Sequence, residues 1–241
     1  MKRFTYNLLL LTIITLYIPN IWAKEHFYKN DNDVSLSKKE YDFISNMYWE
    51  GYQEYLTKDD YNYIKSMNVF DKSIIKKEEK NIESSLARNS SVTSNLRTLT
   101  ITKSCSDNCM LVMVNRWNGT PTIKSYDVFG VRVKDVSLID IRNALVSGKN
   151  YAKSYSNAKK YNNGFGYSIL VPETTEVKTT LTFTTSKKGI VYGSYQHAMK
   201  KTTEATSKQY TIGVGGYGKV FNFTGNAGFI YENSPGVDIE V

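Results

Sequence analysis

Apolar and polar residues alternate with a period of two in much of the chain after residue 95. At 98–102, Leu99 and Ile101 alternate with threonines, which is the pattern of a strand with one buried face. Residues 110–114 are continuously apolar and therefore predict a more deeply buried strand. Because these two runs flank the short polar segment 106–108, they predict a β-hairpin.

Short strand-like runs and turns continue through the second half of the sequence. The clearest run is 177–185, where Leu181 and Phe183 alternate with threonines. Gly130 is a candidate bulge within the strand predicted at 123–133. Further strands are predicted at 166–171, 190–196, 210–214, 219–223, 227–231 and 237–241. This pattern predicts a mainly β fold, an antiparallel β-sandwich over residues 95–241.

A helical period is present between residues 37 and 67. Ser37 and Glu40 have the spacing of a capping box, and Thr57 is a second N-cap candidate. The segments 37–47 and 57–67 align without a gap, with Lys, Tyr, Ile and Met at the same offsets. An apolar stripe follows the first cap at Tyr41, Ile44, Met47 and Tyr48. Two capped copies predict a small N-terminal helical hairpin within residues 24–70, packed on the next domain.

Residues 71–94 connect the predicted helical hairpin to the predicted sandwich. They are polar and contain charges of both signs, with Asn89-Ser90-Ser91 among them. This composition predicts a linker that tethers the two parts of the chain.

The first 23 residues have the features of a secretion signal. Lys2 and Arg3 precede an apolar run at 8–18 that is too short to span a bilayer, and a cleavage site is predicted after Ala23. The alternative is a short buried helix. No later run contains the roughly 20 apolar residues of a transmembrane helix. We therefore expect a secreted, extracellular protein.

Two cysteines, Cys105 and Cys109, lie on either side of the predicted hairpin turn. In an exported chain such a pair favours a disulfide, which would fix the register of the hairpin. Metal binding by the pair is the alternative, but no second pair of cysteine ligands accompanies it. We expect a disulfide and no metal site.

The net charge excludes few classes of function. Removal of Lys2 and Arg3 lowers the formal charge from +8 to +6, and no dense block of Lys and Arg typical of a nucleic-acid-binding arm is present. Of the 19 tyrosines, only Tyr6 and Tyr17 lie in the predicted signal peptide. Tyrosine suits half-buried sheet faces and also supplies contact area at binding surfaces.

The segment 141–172 is the best candidate for a binding site. It contains no acidic residue, yet cations and aromatic side chains alternate along it. The predicted binding residues are Lys149, Tyr151, Lys153, Tyr155, Lys159, Lys160 and Tyr161. We expect a short helix at its start and a long loop after it, which is a common place for function.

Cations interleaved with aromatic rings bind glycan polymers, acidic lipid headgroups or single-stranded nucleic acid. Export of the chain makes nucleic acid the least favoured of these partners. The alternative is a solvated loop whose tyrosines cover a sheet edge.

Few residues point to catalysis. The chain after residue 23 contains only two histidines, His26 and His197, and lacks a nucleophile elbow, a zinc-protease helix and a phosphate loop. His197 is interpreted as a strand-end residue that completes a hydrogen-bond network. The spacing of Asp127, Asp135 and Asp140 singles out no glycosidase-like pair. We therefore expect neither an enzyme nor a cofactor.

Two segments of the predicted sandwich carry a resemblance. Residues 125–128 read Ser-Tyr-Asp-Val and residues 194–198 read Ser-Tyr-Gln-His-Ala. Over the surrounding segments 117–131 and 191–198, the chain resembles secreted bacterial β-domain proteins without an assigned function. The resemblance covers the β domain only; it implies an exported β domain and no site residues.

Two functional classes remain open from the sequence. The first is a secreted or surface-associated binding protein that recognises a polyanionic or glycan surface, or another protein. The second is a membrane-active, pore-forming toxin, because the threonine alternation at 177–185 suits a pore hairpin as well as a sheet with one wet face. Asn89, Asn118 and Asn222 match the glycosylation acceptor pattern and matter only in a host that glycosylates.

Overall fold

The structure is a computed structural model that describes residues 27–71, 74–83, 95–121, 123–213, 220–232 and 234–241. The predicted signal peptide, His26, Asn89 and residues 214–219 lie outside the described residues.

Helices are few and short. The α-helices are α1 (Lys38–Met47), α2 (Lys58–Ser66) and α3 (Glu204–Ser207), and 3-10 helices span Tyr52–Tyr55 and Gly225–Phe229. The first eight strands are β1 (Tyr28–Lys29), β2 (Ser35–Leu36), β3 (Ile75–Glu83), β4 (Asn95–Cys105), β5 (Cys109–Trp117), β6 (Tyr126–Lys134), β7 (Leu138–Ile141) and β8 (Ala144–Gly148). The remaining strands are β9 (Tyr151–Tyr155), β10 (Lys159–Tyr161), β11 (Gly164–Leu170), β12 (Lys178–Thr185), β13 (Ile190–Gln196), β14 (Tyr210–Ile212), β15 (Phe221–Phe223) and β16 (Val237–Glu240).

Two antiparallel sheets form the body of the molecule, as the strand pattern predicts. A seven-stranded sheet has the order β3-β4-β5-β12-β8-β9, with β7 paired to β12 beside that path. A five-stranded sheet has the order β10-β11-β6-β13-β16. Phe183 of the first sheet packs on Phe165 of the second, with ring centroids 5.5 Å apart. The predicted mainly β, sandwich-like fold is confirmed.

The hairpin between β4 and β5 is closed by a disulfide between Cys105 and Cys109, which are partners in the strand register. Cys109 is buried at the edge of the core between the sheets. The predicted disulfide is confirmed.

Local capping starts both N-terminal helices where the sequence predicts them. The Ser37 side chain accepts from the backbone N–H of Glu40, and the Glu40 carboxylate accepts from the backbone N–H of Ser37, which completes a capping box. Thr57 caps α2 by accepting from the backbone N–H of Asp60. Between the helices, Gly51 takes the left-handed conformation, φ 92°, that a side chain disfavours.

The helical hairpin packs directly on the outer face of the seven-stranded sheet. Ile44 and Ile64 of the helices share one buried cluster with Met110, Val112 and Val114 of β5. This apolar face explains why β5 reads as continuously apolar, because its other face lies in the core between the sheets.

The threonine face of β12 is covered by the hairpin and is therefore not wet. Thr182 donates to the Tyr48 hydroxyl at 3.1 Å, and the hydroxyl of Thr184 is hydrogen-bonded to that of Tyr63. Alternation with threonine predicts a solvated face, but here tyrosines of the hairpin supply the hydrogen bonds that water would otherwise make.

Small elements form a third layer on the outer face of the five-stranded sheet. Phe221 and Tyr210 of the β14–β15 hairpin pack on the sheet residues Val128 and Tyr192. Gly130, the predicted bulge, instead pairs in regular register on both sides. A Cβ there would lie 2.8 Å from the Phe221 ring and 2.3 Å from the backbone oxygen of Phe165, so this glycine permits close packing.

The structure also differs from the sequence expectations at 71–94 and at 227–231. In the predicted linker 71–94, β3 pairs with β4 over most of its length. The strand has charged residues on both faces, which an edge strand tolerates because one side is solvated, and Lys77 and Glu79 form an ion pair. The strand predicted at 227–231 is mostly a 3-10 helix.

The segment 141–172 is strand rather than helix and loop. Strand β8 replaces the predicted short helix, because Val146 packs into the core while Leu145 packs against the helical hairpin. Burial on both faces removes the alternation that identifies a strand in a sequence. Strands β9, β10 and β11 occupy most of the predicted loop.

Candidate functional site

Two cations face each other across neighbouring strands beyond the edge of the helical hairpin. Arg116 on β5 and Lys178 on β12 are direct partners in the strand register. Neither forms an ion pair within 4 Å among the described residues. Like charges directly opposite each other destabilise a sheet, and nearby carboxylates offset part of that cost: Glu79 interacts with Arg116, and Glu54 and Glu176 interact with Lys178.

An aromatic ring packs against the ammonium group of Lys178. The Lys178 Nζ lies 4.1 Å from the centroid of the Trp49 ring, and Trp49 Nε1 donates to Thr180 at 3.3 Å. Partial burial lowers the pKa of Lys178, and the charge of Arg116 lowers it further. Glu54 and Glu176 act in the opposite direction.

Two adjoining clefts open around these cations, with volumes of about 460 and 360 Å³. Glu176 and Lys178 line both clefts. We call the pair the basic groove, with the lining side chains Glu54, Tyr55, Arg116, Trp117, Lys149, Tyr151, Glu176 and Lys178. The groove combines cations, two carboxylates and aromatic rings. These side chains suit a polar ligand that carries acidic groups.

Backbone contacts hold the wall of the basic groove in place. The Lys149 N–H donates to the Thr175 carbonyl at 3.0 Å, and the Thr174 hydroxyl donates to the Lys149 carbonyl at 2.8 Å. Glu176 has a left-handed backbone with φ 58°, which is uncommon for a residue other than Gly, Asn or Asp. The wall is therefore a fixed turn that directs Glu176 into both clefts, and such outliers cluster at ligand sites.

Two of the seven predicted binding residues, Lys149 and Tyr151, line the basic groove. Three others are bound within the fold: Tyr155 donates to the Leu170 carbonyl, Lys159 donates to the Tyr210 carbonyl at 2.9 Å, and Tyr161 donates to the same carbonyl.

Lys153 and Lys160 are exposed on β9 and β10, the edge strands of the two sheets. The structure thus distributes the predicted residues over a groove, a packed region and two edges. Whether the seven act as one site stays a prediction.

The apparent absence of counter-charge in 141–172 holds for the sequence but not for the fold. Arg142 forms ion pairs with Asp59 and Asp60 of α2. Sequence reasoning also missed Trp49, Arg116 and Lys178, because their proximity depends on strand pairing and on the position of the hairpin. No local motif marks them.

A second group of polar side chains is buried inside the sandwich. His197 Nδ1 lies 2.8 Å from Asp127 Oδ2, and the Tyr195 hydroxyl donates to the same oxygen at 2.7 Å. Arg97, whose side chain is fully buried, forms an ion pair with Glu232. The interpretation of His197 as part of a strand-end hydrogen-bond network is confirmed.

This buried group does not assemble the parts of a nucleophilic triad. Among the described residues, no Ser, Thr or Cys side chain is hydrogen-bonded to His197. Asp135 lies in the exposed turn after β6 and Asp140 on β7, while Asp127 is fully buried and already accepts from His197, Tyr195 and the Ala198 N–H. Asp127 therefore acts as a structural acceptor.

Neither a metal cluster nor a membrane-spanning helix is found in the part of the chain that the structure describes. That part contains no group of three or more His, Cys, Asp or Glu side chains that could hold a metal ion. Its helices are all too short or too polar to cross a membrane.

Comparison with known proteins gives little. No protein family model matches the chain, and no curated protein matches it. Among solved structures it is similar to the crystal structure of the collagen binding domain of the Erysipelothrix rhusiopathiae surface protein RspB, with 8% sequence identity and a TM-score of 0.32. The match covers 68% of this chain and 59% of that one, so the chain spans less than two thirds of its length.

Proposed function

We propose that this chain is a secreted, surface-associated binding protein that holds an acidic glycan in the basic groove. The observation that carries the proposal is the direct cross-strand pairing of Arg116 with Lys178. A bound carboxylate or sulfate between them would convert an unfavourable pair into two charge-assisted hydrogen bonds.

The other walls of the groove favour a glycan over a simple anion. Tyr55 and Tyr151 supply apolar contact area for sugar rings, and Glu54 and Glu176 accept hydrogen bonds from sugar hydroxyls. A ligand that bears acidic groups among hydroxyls uses both kinds of side chain. The predicted signal peptide supports an extracellular location, where such polymers are found.

The alternative of a pore-forming toxin has less support. The threonine face of β12 is bonded to Tyr48, Trp49 and Tyr63 of the helical region, so that strand would have to break these contacts before it entered a membrane. Release of dye from anionic liposomes at micromolar protein would favour the toxin.

The test compares two variants that remove the same charge. Arg116→Gln/Lys178→Gln alters the groove, while Lys200→Gln/Lys201→Gln removes two exposed cations that form no ion pair with any described residue. Binding to immobilised hyaluronate and dextran sulfate is measured by interferometry, with neutral dextran as the reference polymer.

We expect the parent protein to bind at least one acidic polymer and to bind it more weakly at 1 M than at 0.1 M salt, since the Debye length falls from about 10 Å to about 3 Å. The groove variant should lose about tenfold in affinity, because two screened charge contacts each contribute up to about 1 kcal/mol. The proposal fails if neither polymer binds, or if the control variant loses as much affinity as the groove variant.

A further inference from the structure

A third cleft, of about 350 Å³, lies on the side of the molecule where the β14–β15 layer meets the end of β13. Its volume is at the low end of the range for small-molecule sites, about 300–1,000 Å³. Aromatic and hydrogen-bonding side chains both line it, among them Asn222, Phe223, Tyr231 and Glu232. None of these residues belongs to the basic groove.

Glu232 is the polar group that makes this cleft unusual. The residue is only 7% exposed, yet it lines the cleft. Its Oε1 accepts from Arg97 and, at 3.2 Å, from the His197 N–H, but no residue in the described ranges donates to Oε2. Oε2 keeps solvent-accessible surface and is open to the cleft, where a ligand hydroxyl can replace water as its donor.

The charge around Glu232 favours a neutral donor. Arg97 compensates the carboxylate, and its guanidinium lies 5.3 Å from the ring centroids of both Trp117 and Tyr195. A cationic ligand would therefore be attracted only weakly. An anionic ligand would be repelled by Glu232 at short range.

The aromatic side of the cleft offers a flat apolar wall. The Phe223 and Tyr231 rings are stacked, with centroids 4.5 Å apart and an interplanar angle of 13°. Phe223 is partly exposed, and the neighbouring Asn222 is exposed and carries both a donor and an acceptor. A pyranose ring has the matching features, because its C–H face is apolar and its edge carries hydroxyl groups.

We propose that this cleft binds one ring of a neutral sugar. A sugar hydroxyl donates to Glu232 Oε2, a second hydroxyl bonds the Asn222 amide, and the apolar face of the ring contacts Phe223. This site is separate from the basic groove and stands whether or not the groove holds an acidic glycan.

The experiment uses a panel of the methyl glycosides of glucose, galactose, mannose and N-acetylglucosamine. Each is titrated to 20 mM against ¹⁵N-labelled protein, and chemical-shift changes are followed at residues 220–232. Methylammonium and methyl glucuronide, which carries a free carboxylate, are titrated as the cationic and anionic alternatives. The titrations are repeated in 0.5 M NaCl and with the groove variant Arg116→Gln/Lys178→Gln.

At least one glycoside should produce saturable shifts centred on Asn222, Phe223 and Glu232, with the same affinity in high salt and in the groove variant. Asn222→Ala, at an exposed position, should weaken binding several-fold, whereas Asn62→Ala, exposed on α2, should not. Glu232→Gln should weaken it about tenfold through loss of a charged acceptor.

If the Glu232 variant does not fold, Asn222→Ala decides alone. The proposal is overturned if no glycoside shifts these residues, if the shifts centre elsewhere, or if Asn222→Ala binds like the parent. It is also overturned if methylammonium or methyl glucuronide binds this cleft more tightly than every neutral glycoside.

Discussion

Arg116 and Lys178 lie side by side on neighbouring strands although their like charges repel each other. Cross-strand pairs of opposite charge stabilise a sheet by roughly 0.2–1 kcal/mol, and like charges reverse the sign. On the same face of β5 and β12, the neighbouring positions towards the hairpin carry aliphatic or threonine side chains. Such local instability is expected where a site is shaped for a ligand rather than for folding.

The pKa of Lys178 provides a direct measurement of this effect. Burial lowers the pKa from its ordinary value of 10.5, with a further contribution from Arg116. We expect Arg116→Gln to raise the Lys178 pKa, measured by NMR of the Nζ-coupled carbons, while Lys76→Gln on exposed β3 leaves it unchanged. An unchanged value in Arg116→Gln would contradict the coupling.

The sign of the linked effect on stability follows from the direction of that shift. A lysine whose pKa is lowered by folding is disfavoured while charged, so it opposes folding below its folded pKa. This penalty disappears as pH rises from the folded pKa to the unfolded value. Arg116→Gln should therefore raise the free energy of unfolding at pH 7 by about 0.5 kcal/mol.

Arg97 and Glu232 show a different balance inside the sandwich. Removal of one partner of a buried ion pair typically costs 3–5 kcal/mol, because the other charge is left without compensation. Hydrogen bonds from Arg97 to Ser234, at 2.8 Å, and to the Tyr195 carbonyl, at 3.4 Å, spread the cost of burial. The pair connects β4 to the C-terminal segment, while Arg97 Nε and Nη1 are buried without a hydrogen-bond partner among the described residues.

At the scale of elements, the helical hairpin and the sandwich share buried side chains. Ile64 on α2 is fully buried in the cluster that includes Val112 of β5. We expect both parts to unfold in one transition, because separation would expose the outer face of β5.

Ile64→Ala should lower the free energy of unfolding by about 2–5 kcal/mol, as large-to-small core changes do. Urea denaturation is followed by Trp fluorescence and by circular dichroism. The curves from the two probes should coincide within each protein, both for Ile64→Ala and for the surface control Asn62→Ala. Two separate transitions in either protein would show that the hairpin is an independent, tethered unit.

The disulfide acts on a single hairpin. Cys105 and Cys109 are separated by only 4 positions, so the bond removes little entropy from the unfolded chain. We expect Cys105→Ala/Cys109→Ala to lower stability by about 2 kcal/mol or less and to increase amide exchange at the ends of β4 and β5. Loss of the folded state at 25 °C would contradict a local role.

At the scale of the whole molecule, the two sheets end in lysine-bearing edge strands on the same side. Residues 156–158 connect β9, at the edge of one sheet, to β10, at the edge of the other. Charged side chains on edge strands hinder pairing with a second molecule. We therefore expect Lys153 and Lys160 to hinder such pairing, which does not require a ligand.

This role can be separated from binding by three variants. Lys153→Ser/Lys160→Ser should increase self-association in sedimentation velocity while hyaluronate or dextran sulfate binding stays within about twofold of the parent. Lys149→Ser, in the groove, should weaken that binding without changing association, and Lys200→Ser/Lys201→Ser serves as the charge control. Equal loss of binding in the edge and groove variants would support the seven predicted residues as one site.

Features set by residues close together in the chain could be predicted from the sequence. The capping box at Ser37, the second cap at Thr57 and the Cys105–Cys109 bond all depend on groups within a few positions of one another. Strand β4 was also predictable, because Leu99 and Ile101 alternate with threonines along it and a turn bounds it. The antiparallel sandwich follows from many such strands.

Only the tertiary structure decided which faces are covered and which cations meet. The polar sequence of β3 gives no sign of a strand, since its regular structure comes from pairing with β4 rather than from a buried face. The threonines of β12 resemble a wet face until the helical hairpin supplies tyrosine hydroxyls to them. Arg116 and Lys178 are far apart in the sequence and become neighbours only through the register of β5 with β12. No local sequence pattern indicates that they are close, so the pair could not be predicted.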